Sequence, residues 1–197
     1  MLISIDGIDG CGKSTQVKGL AQLLQAEQIQ EISDSPWGRK LRSLEQPTFE
    51  EQLAYFIADR TVLSPKLHNA AGSTEAHIVS DRSYLSGVAY QSFQSVLTPE
   101  MIENINRALV PKYDLMIFLD LPVDVALDRV RKRGEKLTWC ENEELLTWAR
   151  SVFTQWADKH ENIVKINANQ SIEEVSRDVK AAAEEASKRV FGKILWG

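Results

Sequence analysis

Apolar positions along the chain fall into two alternating rhythms. Five short apolar runs, at 2–6, 29–33, 77–80, 115–120 and 163–166, read as buried strands. Longer stretches of helical period separate them. After Pro122, the positions Val123, Ala126, Leu127 and Val130 recur at i, i+3, i+4 and i+7, and Pro122 suits a helix start. Near the end, Ile172, Val175, Val179, Ala182, Ala186 and Val190 mark a long helix capped by Ser171 or Asn169. Another helix runs from 49 to about 67 and carries Leu53, Phe56, Ile57 and Leu63. Thr48 is its expected cap, Glu51 completes a capping box, and residues 69–72 end it. Strand alternating with helix predicts a five-stranded parallel sheet covered on both faces, a three-layer α/β/α arrangement.

Composition narrows the field. The chain has 197 residues, 43% hydrophobic and 26% charged, enough for one ordinary domain spanning 1–197. It carries no internal repeat, low-complexity tract or Pro/Gly linker. A net charge of −5 argues against a nucleic-acid polymer or an anionic membrane as partner. No apolar run approaches about 20 residues, so no membrane-spanning helix is expected. The apolar start is cut by Asp6 and is too short for a signal-peptide core. Cys11 and Cys140 form no CxxC pair, which fits a reducing cytoplasm.

The run Gly7-Ile8-Asp9-Gly10-Cys11-Gly12-Lys13-Ser14 matches G-x-x-x-x-G-K-[ST], after a strand and before a helix. Glycines let successive backbone N–H groups turn toward a phosphate, and the helix start adds its dipole. Lys13 can reach the β- and γ-phosphates of a nucleotide, and the Ser14 hydroxyl can hold Mg²⁺. The motif implies a fold of the P-loop NTP hydrolase kind. It does not choose the reaction. A GTPase should carry N-K-x-D, which this chain lacks, and a large ATPase needs more residues.

Three further stretches accompany the loop. The first extends it through Thr15 and Gln16; the second is Phe56-Ile57-Ala58-Asp59-Arg60. The third is Asp81-Arg82-Ser83-Tyr84-Leu85-Ser86-Gly87-Val88-Ala89-Tyr90-Gln91. Together they resemble the thymidylate kinases, with their G-x-D-G-x-G-K-S-T-Q, F-x-A-x-R and D-R-Y-x-x-S-x-x-A-Y-Q patterns. Phe118-Leu119-Asp120 and the basic helix end up to Gly134 look like that family's fourth strand and lid entry. The resemblance covers nearly the whole chain. It implies ATP-dependent phosphorylation of a nucleoside monophosphate, dTMP foremost, with Mg²⁺ as cofactor and a homodimer as the assembly.

The resemblance also implies roles. Residues Gly7 through Thr15 would bind ATP, with Lys13 catalytic. Asp81 and Ser14 would organise Mg²⁺, and Asp9 would hold the metal or orient the acceptor phosphate. Arg82 would grip that phosphate, as a planar fork suits two oxygens. Phe56 would stack on a pyrimidine, and Arg60, four residues on, would read a base carbonyl from the same helix face. Tyr90 would close on the sugar where a 2′-hydroxyl would sit, with Ser86, Gly87 and Gln91 beside it. The acceptor region would span about 34–75 and the lid about 131–142. Gly10 stands where some members carry an arginine, so the lid should supply one, from Arg131, Arg133 or Lys136.

The chain departs from the pattern in three places. No arginine stands directly after the second strand, where the sequence reads Ser33-Asp34-Ser35-Pro36-Trp37-Gly38-Arg39; Arg39 or Arg42 is the nearest substitute. Thr138-Trp139-Cys140-Glu141 replaces D-R-x-E, and Gly87 replaces a polar residue of some members. These departures keep two alternatives open. One is a kinase for another deoxynucleotide or a deoxynucleoside, with Glu31 or Asp34 as base. The other is a nucleotide-binding regulator without transferase activity.

Overall fold

The computed structural model describes residues 1–45, 47–132 and 142–196. In chain order the strands are β1 (Leu2–Asp6), β2 (Glu27–Gln30), β3 (Ile78–Asp81), β4 (Leu115–Asp120) and β5 (Ile163–Asn167). The helices are α1 (Lys13–Leu24), α2 (Pro36–Arg42), α3 (Phe49–Ala70), α4 (Tyr84–Gln91), α5 (Pro99–Arg107), α6 (Val123–Lys132), α7 (Glu143–Lys159) and α8 (Ile172–Phe191). The strands form one sheet in the order β2-β3-β1-β4-β5, and every pairing is parallel.

Every residue of β1 is buried, and so is all of β4 but its last residue. A parallel strand buried on both sides requires helices on both faces of the sheet. α1 and α8 pack on each other and on the sheet, while α7 meets β4 and β5 and packs on α4, which in turn meets α3 and α5. The core is dense in aromatics beneath α7, where Phe118 and Phe153 stack at 5.1 Å and Trp156 is fully enclosed.

The caps follow local chemistry. Thr48 and Glu51 close a capping box on α3, and Ser171, rather than Asn169, forms one with Glu174 on α8. The second strand is displaced from its expected place. It runs Glu27–Gln30 instead of 29–33, is mostly exposed, and pairs with β3 alone as a sheet edge. Beyond Gln30 the Glu31 amide makes one more bond to the Asp81 carbonyl (3.0 Å). Side chains on α3 then draw residues 31–35 out of the ladder. Ser33 donates from both its amide and its hydroxyl to Asp59 (2.9 and 2.5 Å), and the Ser35 hydroxyl joins them at 2.5 Å.

Candidate active site

The loop between β1 and α1 bends through glycines. At Gly10, with φ of 87°, a Cβ would stand 2.6 Å from the Ala126 carbonyl oxygen of α6; at Gly7, with φ of 145°, it would stand 2.7 Å from that of Leu119. Only glycine fits such approaches at positive φ. No side chain caps the N-terminus of α1 among the described residues, so its first amides face the loop as anion donors. The Lys13 ammonium is buried in the loop, donating to the carbonyls of Gly7 (3.1 Å) and Ile8 (3.0 Å), with Asp9 at 3.7 Å. Ser14 and Thr15 are exposed at the helix start, and the Ser14 hydroxyl donates to Asp81 at the end of β3 (2.7 Å). The Cys11 thiol is enclosed, and burial pushes its pKa up against the pull of Lys13 and Arg82. It is therefore a neutral packing group.

β3 is hydrogen-bonded beside β1, with Ile5 opposite Asp81, so the next residue, Arg82, emerges next to the loop. Its guanidinium bonds the Gly7 carbonyl (3.3 Å) and pairs with Asp9. Burial is the largest single influence and opposes that charge, but Asp9, Tyr90, Asp81 and Cys11 together outweigh it and hold Arg82 above its ordinary pKa. The Tyr90 ring lies 5.3 Å from the guanidinium carbon, and its hydroxyl donates to Asp9 at 3.3 Å. Burial and the Asp9 charge raise the phenol well above its ordinary range, so it stays protonated and can donate to that carboxylate.

Asp6, fully buried at the end of β1, fixes this corner. It accepts from the Ser83 amide (2.9 Å) and from the hydroxyls of Ser4, Ser83 and Ser86 (2.8, 2.8 and 2.7 Å). Sequence reasoning gave Asp6 no role. Its partners Ser83 and Ser86 lie more than seventy positions away, with no local signal to connect them.

A cavity of about 380 Å³ opens beside Arg82, within the range of small-molecule sites. Its walls include Asp9, Phe56, Arg82, Ser86, Tyr90 and Gln91, together with Ile32, Leu41, Arg42 and Gln52. Six of the expected residues thus meet in one place. Phe56 is half-buried at the wall rather than in the core.

Arg60 and Gly87 do not line it, and Arg60 needs the larger correction. Its guanidinium has no exposed surface and is taken by Glu31 (2.8 Å), Asn106 (2.7 Å) and the Ser83 carbonyl (3.3 Å). It meets the cavity wall at Phe56, whose ring lies 5.1 Å from it. Helical spacing placed Phe56 and Arg60 on one face, but it could not show that Glu31 waits opposite the arginine. Gly87 packs behind the wall, where a Cβ would stand 3.1 Å from two Arg60 nitrogens.

Of the two substitute arginines, Arg42 reaches the cavity and Arg39 does not. Arg42 is held by the Ile32 carbonyl (3.0 Å) and Asp34 (2.6 Å), while Arg39 bonds the Asp34 carbonyl. Arg131 is exposed in the last turn of α6. Arg133, Lys136 and residues 138–141 lie outside the described residues.

An enzyme built this way can hold two phosphates at once, on neighbouring strand ends, and the class it defines is that of the P-loop nucleotide kinases. Within that class the chain belongs to the thymidylate kinase family, whose family model matches residues 5–179. It is 36% identical over 190 residues to a protein of Archaeoglobus fulgidus named "Probable thymidylate kinase", covering 93% of this chain and 95% of that one. It is 34% identical over 200 residues to the thymidylate kinase of Akkermansia muciniphila, covering 97% and 95%. A "Probable thymidylate kinase" of Methanosphaera stadtmanae is 33% identical over 192 residues, with 91% and 95% covered.

Proposed function

We propose that the protein transfers the γ-phosphate of ATP to dTMP, giving ADP and dTDP. The observation that carries this reading is the position of Arg82, bonded to the P-loop at Gly7 and Asp9 while forming the wall of the adjoining cavity. In this reading the triphosphate lies along residues 7–15. Lys13 leaves its two carbonyls for the β- and γ-phosphates, which are stronger acceptors because they are charged. The dTMP phosphate meets Arg82, with Arg42 at the rim in place of an arginine after β2. Phe56 stacks on the base, and Tyr90 and Ser86 flank the sugar side. Transfer passes through a loose transition state, so alignment and charge neutralisation supply most of the acceleration. The lid cation is Arg131, or Arg133 or Lys136 further along the chain.

Mg²⁺ fits the donor set. Among the described residues no three acidic, histidine or cysteine side chains gather as a metal site, and Mg²⁺ is ordinarily held by one or two carboxylates, water and phosphates. Ser14 and Asp81, 2.7 Å apart beside the loop, offer hard oxygen ligands, and Asp9 offers another. The ion would screen the phosphate charge there.

Two coarser traits complete the reading. No helix among the described residues is long and apolar enough to cross a membrane, and Cys11 is a free thiol; we place the enzyme in the cytoplasm. Val62 on α3 and Met101 and Ile105 on α5 are exposed apolar side chains, 54%, 49% and 38% accessible. The homodimer is the assembly that the family resemblance implies, and apolar side chains such as these are the kind a partner copy would cover.

The deoxynucleoside alternative loses support. Glu31 is enclosed against Arg60, and burial raises its pKa, while Asp34 is turned to solvent beside Arg42. Neither is placed as a base for a sugar hydroxyl. A coupled ADP-release assay across nucleoside monophosphates and nucleosides tests the proposal. Strong dependence on dTMP is expected. Turnover of thymidine in its place would reject dTMP as the acceptor, and ATP binding with no acceptor turned over would point to a regulator.

A further inference from the structure

Asp6 ends β1 and stands directly before Gly7, where the phosphate loop begins. Three of its four donors nonetheless come from residues 83 and 86, beside Arg82 on the neighbouring strand end. The peptide that follows Arg82 is held at both ends. Its carbonyl accepts from the Ser80 hydroxyl (2.6 Å), and its N–H, on Ser83, donates to Asp6 Oδ1 (2.9 Å). The Arg82 side chain is steered as well. Its Nη1 lies 3.4 Å from Ser86 Oγ, and a guanidinium only donates, so that oxygen accepts there. The one Ser86 hydroxyl proton is thereby left for Asp6 Oδ1, at 2.7 Å. The same reasoning fixes Ser83, whose Oγ accepts from the Leu85 amide (3.2 Å) and donates to Asp6 Oδ2 (2.8 Å). Asp6 and Ser83 are fully enclosed and Ser86 nearly so.

We infer that Asp6 is a positioning residue for the acceptor phosphate, acting through Arg82, although it adjoins the loop for ATP. The inference rests on the proposed dTMP reaction and adds a residue to it. Arg82 keeps a positive φ, which a large side chain does not favour, so its direction depends on bonds from outside. Asp6 supplies them twice, at the backbone through the Ser83 amide and at the guanidinium through Ser86. Among the described residues its side chain bonds none of residues 7–15, where ATP is expected. Loss of the Asp6 carboxylate frees Ser86 to turn and Arg82 to swing. A misplacement of about 1 Å in a group that aligns reacting atoms can cost about 10²-fold in rate.

A double-mutant cycle separates positioning from general support of the fold. Each Asp6 oxygen accepts two donors, so the NH2 group of Asp6→Asn meets a donor pair whichever way it turns. With dTMP varied, kcat/KM is expected to fall about tenfold in Asp6→Asn, while KM for ATP stays within about threefold of the parent. In an Arg82→Ala background the same substitution should cost less than about threefold, since the group it aims is gone. Equal losses in the two backgrounds, or a rise in KM for ATP that matches the loss with dTMP, would overturn the role. Ser86→Ala removes the steering hydroxyl, leaves the carboxyl in place, and should show the same dependence on background. It carries the test where Asp6→Asn does not fold, and a loss independent of Arg82 would overturn the role there too. Titration calorimetry with dTMP and with ADP gives the same comparison without turnover. A parent protein that binds dTMP but fails to phosphorylate it would sink only the proposed reaction. A parent that binds no dTMP would overturn both.

Discussion

Arg82 is the residue on which the two halves of the site depend. Its φ of 73° places a large side chain in the left-handed region, a conformation costing about 1–3 kcal/mol outside glycine. Three neighbours hold it there: its amide bonds the Ile5 carbonyl (3.0 Å), its carbonyl accepts from Ser80 (2.6 Å), and Asp6 pins Ser83 next to it. The strain is offset by aim, since the guanidinium faces Asp9 and the cavity. Arg82→Ala is expected to lower kcat/KM for the acceptor by about 10²-fold or more, as two charge-assisted bonds are lost. KM for ATP should change by less than about threefold, because the loop amides and Lys13 remain. Steady-state kinetics with each substrate varied in turn check this, and an unchanged acceptor value would remove Arg82 from the phosphate site.

At the scale of elements, the edge between β2 and α3 rests on one enclosed ion pair. Arg60 and Glu31, each about 1% exposed in their side chains, stand 2.7 Å apart. Glu31→Ala would leave an arginine charge buried without its counterion and is expected to destabilise the fold by about 3–5 kcal/mol. Adding Arg60→Met should recover part of that loss, which urea unfolding of the single and double variants would measure; additive losses would contradict the pairing. This element also marks how far the sequence could be read. The capping boxes of α3 and α8 were legible because Thr48 with Glu51, and Ser171 with Glu174, act over three residues. The strand at 29–33 was misplaced because its apolar pattern carries no record of Asp59 and Arg60, which claim Ser33 and Glu31 from a helix nearly thirty positions on. The cavity residues of α4 were legible through a motif. Gln52 was not, since its place in the wall depends on bonds to Pro47 and Gln91 together.

Across the whole molecule, alternation of strand and helix announced the sheet, while the order of its strands had no sequence signal. That order brings Asp120 of β4 between Arg150 of α7 (2.6 Å) and Lys165 of β5 (3.1 Å). Burial alone would raise the Asp120 carboxyl, but bonds and charge from Arg150 and Lys165 bring it below its ordinary value. A carboxyl lowered by folding adds stability above its unfolded pKa, about 3.9, and that stability drains as pH falls through the folded value. Asp120→Asn should therefore be less stable than the parent at about pH 7, with the gap closing below about pH 4. Chemical denaturation across that range would show it, and a gap independent of pH would refute it. The strand order has another consequence. The donor loop leaves β1 and Arg82 leaves β3, and these strands are immediate neighbours in register. Neighbouring strands keep a spacing of about 4.8 Å, set by peptide geometry. The offset between the two substrates' anchors is thus a property of the backbone ladder, insulated from how tightly the interior is filled. Trimming an interior side chain away from the site, such as Val179 of α8, buried at 1%, would soften the protein and lower its melting point long before it spoiled that alignment.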